Sequence, residues 1–206
     1  MDSALAFLSC TALASYFLVK NRTKSPARDK SKKTKRNNIK GLEKKLVDGS
    51  AYKVGILKAR WNADITNSLA SGCRNALYEC GVKKENIIEL EVPGSYELVA
   101  ATKKLLDAGV VDGVVPIGCL IKGETMHFEY ICESVSSGLM QLNLAYPKNV
   151  VLFGVLTCLT EKQAIVRSGL SAGGHNHGSD WGFGIVEMLN FQDSLGAIKM
   201  RFGPQS

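Results

Sequence analysis

Hydrophobic and polar positions follow two alternating periods after residue 52, one typical of strands and the other of helices. Short apolar runs at 54–59, 86–92, 113–121 and 149–157 predict four strands. Between these runs, apolar residues recur three and four positions apart, as on one face of an amphipathic helix. The first such stripe consists of Ile65, Leu69, Cys73, Ala76, Leu77 and Cys80. Strand and helix alternate four times, which predicts a mostly parallel four-stranded sheet covered on both faces.

Right-handed crossovers would make this arrangement a three-layer αβα sandwich of the flavodoxin-like kind. Asn62 and Ser95 are suited to cap the first and second helices through their side chains. The third helix is expected to begin after Thr125. A glycine-rich loop at 169–178 leads to a last helix, which Gly182 and Gly184 could interrupt.

The first 47 residues differ from the rest in composition and form an N-terminal extension to a domain spanning 48–206. Residues 4–19 contain no charge, and residues 20–45 are basic and are predicted to be disordered. Residues 1–40 carry a net charge of +8 and the whole chain +7, so the remainder carries −1. The domain therefore lacks the basic footprint of a nucleic-acid-binding protein.

Three interpretations of this extension stay open. The apolar run 4–19 is somewhat short for a membrane span and long for the core of a signal peptide. It could anchor the protein in a membrane, with the basic residues and the domain facing the cytoplasm. Alternatively, the extension could be an organelle-targeting presequence, or it could have little function.

The cysteines and histidines predict no metal centre. Six cysteines are present, but no two are spaced Cys-x-x-Cys, so we expect reduced thiols in a reducing compartment. The sequence "HNH" at 175–177 lies in the glycine-rich loop. No carboxylate or cysteine stands beside it at the spacing of a metal site.

In a parallel sheet, ligands bind beyond the carboxyl ends of the strands. The predicted strand ends are 59–62, 92–97, 118–127 and 153–157, and polar, aromatic and glycine residues collect at all four. Trp61 could stack on a planar ring, as could Tyr96 at the second end, but both could also be partly buried core residues.

The third strand end predicts an anion site. Gly123, Glu124 and Thr125 lie where a helix begins, and free backbone N–H groups at such a position bind phosphate. His127 follows in the first helical turn, where the helix N-terminus disfavours the imidazolium form. A neutral imidazole there suits proton transfer, although a histidine at this position can equally be structural.

Four motifs occur in the order of one known family: "ARWN" at 59–62, "VPGSYEL" at 92–98, "IGCLIKGETMHFEYI" at 117–131 and "VLFGVLTCLTEKQAIVRSG" at 151–169. Together they resemble the lumazine synthase family, and the fungal-type members most. The resemblance spans about residues 50–203. It implies condensation of 5-amino-6-(D-ribitylamino)uracil with 3,4-dihydroxy-2-butanone 4-phosphate, giving 6,7-dimethyl-8-ribityllumazine, phosphate and water in riboflavin biosynthesis. No cofactor or metal is implied.

The resemblance also implies roles for individual residues. Trp61 would stack on the pyrimidine, and His127 would be the proton shuttle. Phe153 and Arg167 would come from a neighbouring subunit, Phe153 to pack on the ring and Arg167 to hold the phosphate. The other implied substrate contacts are Asn62, Ser95, Tyr96, Glu97, Cys119, Leu120, Ile121, Glu124 and Thr125.

The implied assembly is a homopentamer with shared active sites. A loop 169–178 longer than in shell-forming members disfavours a sixty-subunit shell. His177 stands about where many bacterial members have a lysine, so its contact with phosphate stays open. A non-catalytic lumazine carrier is the main alternative, but such a protein could lose His127 or Arg167, and both are present.

Overall fold

The computed structural model describes residues 46–202, which form a parallel sheet and its covering helices. The strands are β1 (Val54–Ala59), β2 (Ile87–Val92), β3 (Gly113–Ile121), β4 (Val150–Val151) and β5 (Gly154–Cys158). The α-helices are α1 (Ala63–Glu79), α2 (Glu97–Asp107), α3 (His127–Ala145), α4 (Glu161–Arg167) and α5 (His177–Phe202). A short 3₁₀ helix, Lys84–Asn86, precedes β2.

The predicted parallel sheet is confirmed, with strand order β2-β1-β3-β4 and with β5 also paired to β3. The fourth predicted strand is divided into β4 and β5, so the expected count of four was wrong. The break has a cause in β3. The N–H of Leu152 donates to the carbonyl of Val114, and the return bond would come from residue 116. That residue is Pro116, which has no N–H.

The three-layer packing is confirmed by two buried apolar clusters, one on each face of the sheet. Residues of α1 and α5 pack against one side of β1 and β3. Residues of α2 and α3 pack against the other side. Alternate residues of β1 take opposite sides, with Ile56 in the first cluster and Leu57 in the second. The predicted helical stripe is buried throughout α1.

Helix α5 is continuous over 26 residues, so Gly182 and Gly184 do not interrupt it. Two glycines allow close approach to α1 instead. A Cβ on Gly178 would lie 1.9 Å from the carbonyl oxygen of Leu69, and one on Gly182 would lie 2.5 Å from that of Cys73. Glycine is needed here because the two helix backbones come too close together for a side chain.

The predicted apolar segment 4–19 and basic segment 20–45 lie outside the described residues. Within 46–202, no helix is both long enough and apolar enough to cross a membrane.

Candidate active site

A cleft of about 650 Å³ opens beyond the carboxyl ends of β1, β2 and β3. Its lining combines residues from the first three predicted strand ends with the start of α3. The lining residues are Trp61, Asn62, Gly94, Ser95, Tyr96, Glu97, Cys119, Leu120, Ile121, Gly123, Thr125, His127, Phe128 and Ile131. The convergence expected for these three strand ends is therefore present in a single chain.

The end of β1 is tied to both neighbouring strands. The Trp61 N–H donates to the carbonyl of Pro93 at 3.2 Å, beyond the end of β2. Asn62 does not cap α1 with its side chain, contrary to expectation. Its backbone is left-handed, with φ 59° and ψ 49°, and its side-chain amide donates to the Cys119 carbonyl at 2.9 Å. The Trp61 ring is left 72% exposed at the cleft, so the partly buried core interpretation does not hold.

The end of β2 contributes Ser95, Tyr96 and Glu97. Ser95 is not the helix cap that we expected, because α2 begins two residues later and the Ser95 hydroxyl, although buried, has no hydrogen-bond partner within the described chain. A Cβ on Gly118 would lie 2.5 Å from that hydroxyl, so Ser95 lies directly against β3. The Glu97 carboxylate accepts a hydrogen bond from the Gly94 N–H at 2.9 Å, and the Tyr96 side chain is 60% exposed.

At the end of β3, Cys119, Leu120 and Ile121 form one wall of the cleft. Burial raises the pKa of the Cys119 thiol to about 12, and the nearby Cys158 adds to the effect. The thiol is therefore protonated at neutral pH and is not a nucleophile. What this strand end offers to a ligand is its backbone.

The turn 122–126 joins β3 to α3 and is exposed throughout. The Lys122 N–H donates to the Cys158 carbonyl at 2.9 Å. His127 is the first residue of α3, and its N–H donates to the Thr125 hydroxyl at 3.4 Å. Its imidazole is exposed and lines the cleft. The candidate anion turn and the candidate proton carrier therefore border the same space.

Three predicted site residues do not line this cleft. Glu124 is exposed on the turn beside it. Phe153 lies between β4 and β5 and is 42% exposed, and Arg167 is exposed at the end of α4. Phe153 and Arg167 are the two residues for which the family resemblance implies a neighbouring subunit.

The loop before α5 contains a cluster that sequence spacing missed. His175 Nε2 lies 2.7 Å from Asp180 Oδ2, and His177 Nδ1 lies 3.3 Å from the same oxygen. The expectation that no carboxylate stands beside these histidines was wrong, because the first turn of α5 brings Asp180 back to them. Burial lowers the pKa of His177, with His175 and Arg167 adding to the shift and Asp180 opposing it.

Sequence reasoning also missed Phe128 and Ile131 as lining residues. They lie one and four positions after His127 on α3. Helical spacing could have found Ile131, because it lies four positions after His127 and three after Phe128, and residues at these spacings share a helix face.

Comparison with known proteins identifies one family. Residues 51–193 match the family model for 6,7-dimethyl-8-ribityllumazine synthase. Proteins of that name from Pyricularia oryzae and Schizosaccharomyces pombe are 42% and 44% identical to this chain. The alignments cover 73% and 74% of this chain and 93% and 95% of those proteins. A bacterial relative of the same name, from Flavobacterium psychrophilum, is 39% identical over 79% of this chain and 86% of its own length. The chain therefore belongs to the 6,7-dimethyl-8-ribityllumazine synthases, the transferases of riboflavin biosynthesis.

Proposed function

We propose that this chain condenses 5-amino-6-(D-ribitylamino)uracil with 3,4-dihydroxy-2-butanone 4-phosphate in the cleft described above. The products are 6,7-dimethyl-8-ribityllumazine, inorganic phosphate and water. One observation carries the proposal most directly: a single cleft combines an exposed aromatic ring, a buried unpartnered hydroxyl, a helix N-terminus and an imidazole. These features match the heterocycle, the polyol, the phosphate and the proton transfers that the reaction requires.

In this proposal, Trp61 stacks on the pyrimidine substrate. The ribityl chain of that substrate lies along Ser95, Tyr96 and Glu97. The unpartnered Ser95 hydroxyl supports this placement, since a buried hydroxyl normally has a hydrogen-bond partner and a ribityl hydroxyl can supply one. Cys119, Leu120 and Ile121 bind the uracil edge through backbone groups. The Cys119 carbonyl can accept a second bond besides that from Asn62.

The phosphate lies at the N-terminus of α3, where the backbone N–H groups of Glu124 and Thr125 donate to it. The long helix favours negative charge at this end, because its 19 residues align their peptide dipoles. Arg167 of a neighbouring subunit completes the phosphate site. A guanidinium suits this role because its donors match the oxygen geometry of a phosphate.

His127 carries protons between the two substrates. Imine formation, loss of phosphate and ring closure each move a proton, and one imidazole bordering the cleft can serve several of these steps. Much of the remaining acceleration comes from holding two substrates in reacting orientation, which removes the entropy cost of a bimolecular encounter.

We infer that the active assembly is a homopentamer. One chain leaves Trp61 and Tyr96 open to solvent, while Phe153 and Arg167 lie outside its cleft. We propose that Phe153 and Arg167 of each subunit complete the cleft of the next subunit through a head-to-tail contact. Every cleft is then completed only if the subunits form a closed ring. The family's ring of five subunits is the assembly that we expect.

The N-terminal residues 4–19 are proposed to attach the protein to a membrane, with residues 20–45 and the domain on the cytoplasmic side. The supporting observation is an uncharged run followed by a segment, 20–45, with twelve lysines and arginines. Fractionation of cells should recover the full chain with membranes and a chain lacking residues 1–45 in the supernatant. Recovery of the full chain in an organelle lumen would instead establish the targeting alternative.

The activity is tested by mixing both substrates with purified full-length protein and following lumazine absorbance. The condensation also proceeds without enzyme, so a reaction without protein is the essential control. We expect a rate well above that background. Product formation no faster than the control, with correctly folded protein, would contradict the proposed function.

A further inference from the structure

An ion pair spans the turn 122–126 from one end to the other. The ammonium of Lys122 lies 2.6 Å from Oε1 of Glu129, which is in the first turn of α3. The backbone of Lys122 is itself held to the end of β5 by the bond from its N–H to the Cys158 carbonyl. The pair therefore connects the fixed strand end to the fixed helix start, across the residues between them.

The turn has little else to hold its shape. Residues 122–127 are all exposed, and beyond Gly123 and its two chain neighbours no atom lies within 4 Å of the place where a Cβ on Gly123 would be. A segment with so few buried contacts has low local stability. A tether between its two ends thus has a large influence on its conformation.

Glu129 has a further unusual feature. Its Oε2 atom is buried and has no hydrogen-bond partner within the described chain. A buried polar atom without a hydrogen-bond partner lowers the stability of the fold, so its presence calls for an explanation. The hydrogen bond from Lys122 lowers the pKa of Glu129, so its carboxylate is charged at neutral pH.

We propose that Glu129 is a positioning residue for phosphate binding: its ion pair with Lys122 holds the turn 122–126 in the shape that the phosphate requires. This inference rests on the proposed function, because it takes Glu124 and Thr125 as the phosphate donors. Neither Lys122 nor Glu129 touches the phosphate in this scheme. A preorganised turn improves affinity because the ligand does not have to order it on binding.

The test uses Glu129→Gln and Lys122→Met in the full-length protein, with the KM of each substrate and the Ki of inorganic phosphate as readouts. Each variant should raise the KM of butanone phosphate and the Ki of phosphate about threefold to tenfold. The KM of the pyrimidine should stay within about twofold, and the double variant should be no worse than either single variant. Lys122→Arg should preserve the wild-type values.

A matched control is Lys103→Met. Lys103 also forms an ion pair, at 2.7 Å with Asp107 on α2, but neither residue lines the cleft. Its loss should leave both KM values unchanged.

Three results would overturn the inference. Equal changes in both KM values, or a lower melting temperature with unchanged kinetics, would assign the pair to stability alone. A lower butanone phosphate KM in Glu129→Gln would instead make Lys122 a phosphate ligand that Glu129 restrains. Absence of wild-type activity would contradict the proposed function, which is a distinct outcome.

Discussion

The side-chain amide of Asn62 donates a hydrogen bond to the backbone carbonyl of Cys119, 2.9 Å away, and so joins the ends of β1 and β3. Among the residues described, Asn62 is also the one non-glycine residue with a positive φ. Asparagine tolerates this left-handed conformation better than most residues. Both its backbone and its side chain therefore fix the position of Trp61 beside the cleft.

We predict that Asn62→Ala destabilises the protein more than Asn62→Gly. Both substitutions remove the hydrogen bond, which contributes about 1 kcal/mol. Alanine additionally has to adopt the left-handed backbone, at a cost of about 1–2 kcal/mol that glycine avoids. Urea unfolding of both variants measures the difference. An equal loss of free energy of unfolding would mean that the backbone conformation of residue 62 is not strained.

Two glycines of α5 should respond to alanine in opposite directions. At Gly182 a Cβ would lie 2.5 Å from the Cys73 carbonyl oxygen, so alanine should lower the free energy of unfolding by about 1–3 kcal/mol. At Gly196 no atom outside the adjacent backbone of α5 and the two chain neighbours lies within 4 Å of the Cβ position. Alanine there should stabilise the protein by about 0.5–1 kcal/mol through helix propensity. The melting temperature of Gly182→Ala should therefore lie below that of the wild type, and that of Gly196→Ala above it. Two shifts of the same sign would contradict the packing described.

The order of strands and helices was predictable because the helices bury one apolar stripe, whereas the central strands are apolar on both faces. The stripe Ile65 to Cys80, for example, shows its helical period without any knowledge of the partner surface. The division of β4 from β5 was not predictable, because it depends on which residue of β3 lies opposite the break. Only the sheet register brings Pro116 to that point.

The candidate site was predictable where it depends on strand ends. Trp61, Ser95 and His127 follow three strands whose carboxyl ends must meet in a parallel sheet. The actual partners of the side chains were not predictable from local spacing. Asn62 looked like a helix cap, yet its bond goes to Cys119, 57 residues away in sequence.

Substitution of His127 by alanine should lower kcat by about 10²-fold, at the lower end of the effect of a general acid or base, because water can replace part of its function. Both substrates should still bind with nearly normal KM, since the imidazole contributes to proton transfer rather than to binding. The measurement is kcat between pH 6 and 8, with added imidazole as a rescue. Unchanged kcat across that range would show that the ring is structural.

Replacement of Arg167 by alanine should raise the KM of butanone phosphate far more than that of the pyrimidine. A charge-assisted hydrogen bond contributes about 1.5–3 kcal/mol, which corresponds to an increase of roughly 10- to 100-fold. Lys162→Ala is a matched control, because Lys162 is an exposed cation on the same helix. It should change neither KM, whereas similar effects of Arg167→Ala on both substrates would remove Arg167 from the phosphate site.

The shared site predicts complementation between two impaired variants, assayed at a butanone phosphate concentration well below the KM of Arg167→Ala. His127→Ala subunits retain Arg167, and Arg167→Ala subunits retain His127. In a mixed ring, some interfaces therefore combine an intact His127 side with an intact Arg167 side. Mixing the two proteins under conditions of subunit exchange should restore part of the activity, up to about one quarter of the sites if the variants mix at random in equal amounts.

Light scattering on the same samples should give about five times the protomer mass, as a closed five-subunit ring requires. The control is each variant put through the exchange procedure alone, which should keep its low activity because every interface then lacks the same residue. If the wild type were active as a monomer, each chain would have to contain a complete site. Phe153 and Arg167, which lie outside the cleft of their own chain, would then take no part in catalysis. No recovery despite proven exchange would contradict the shared site in the same way, since His127 and Arg167 would then act within one chain.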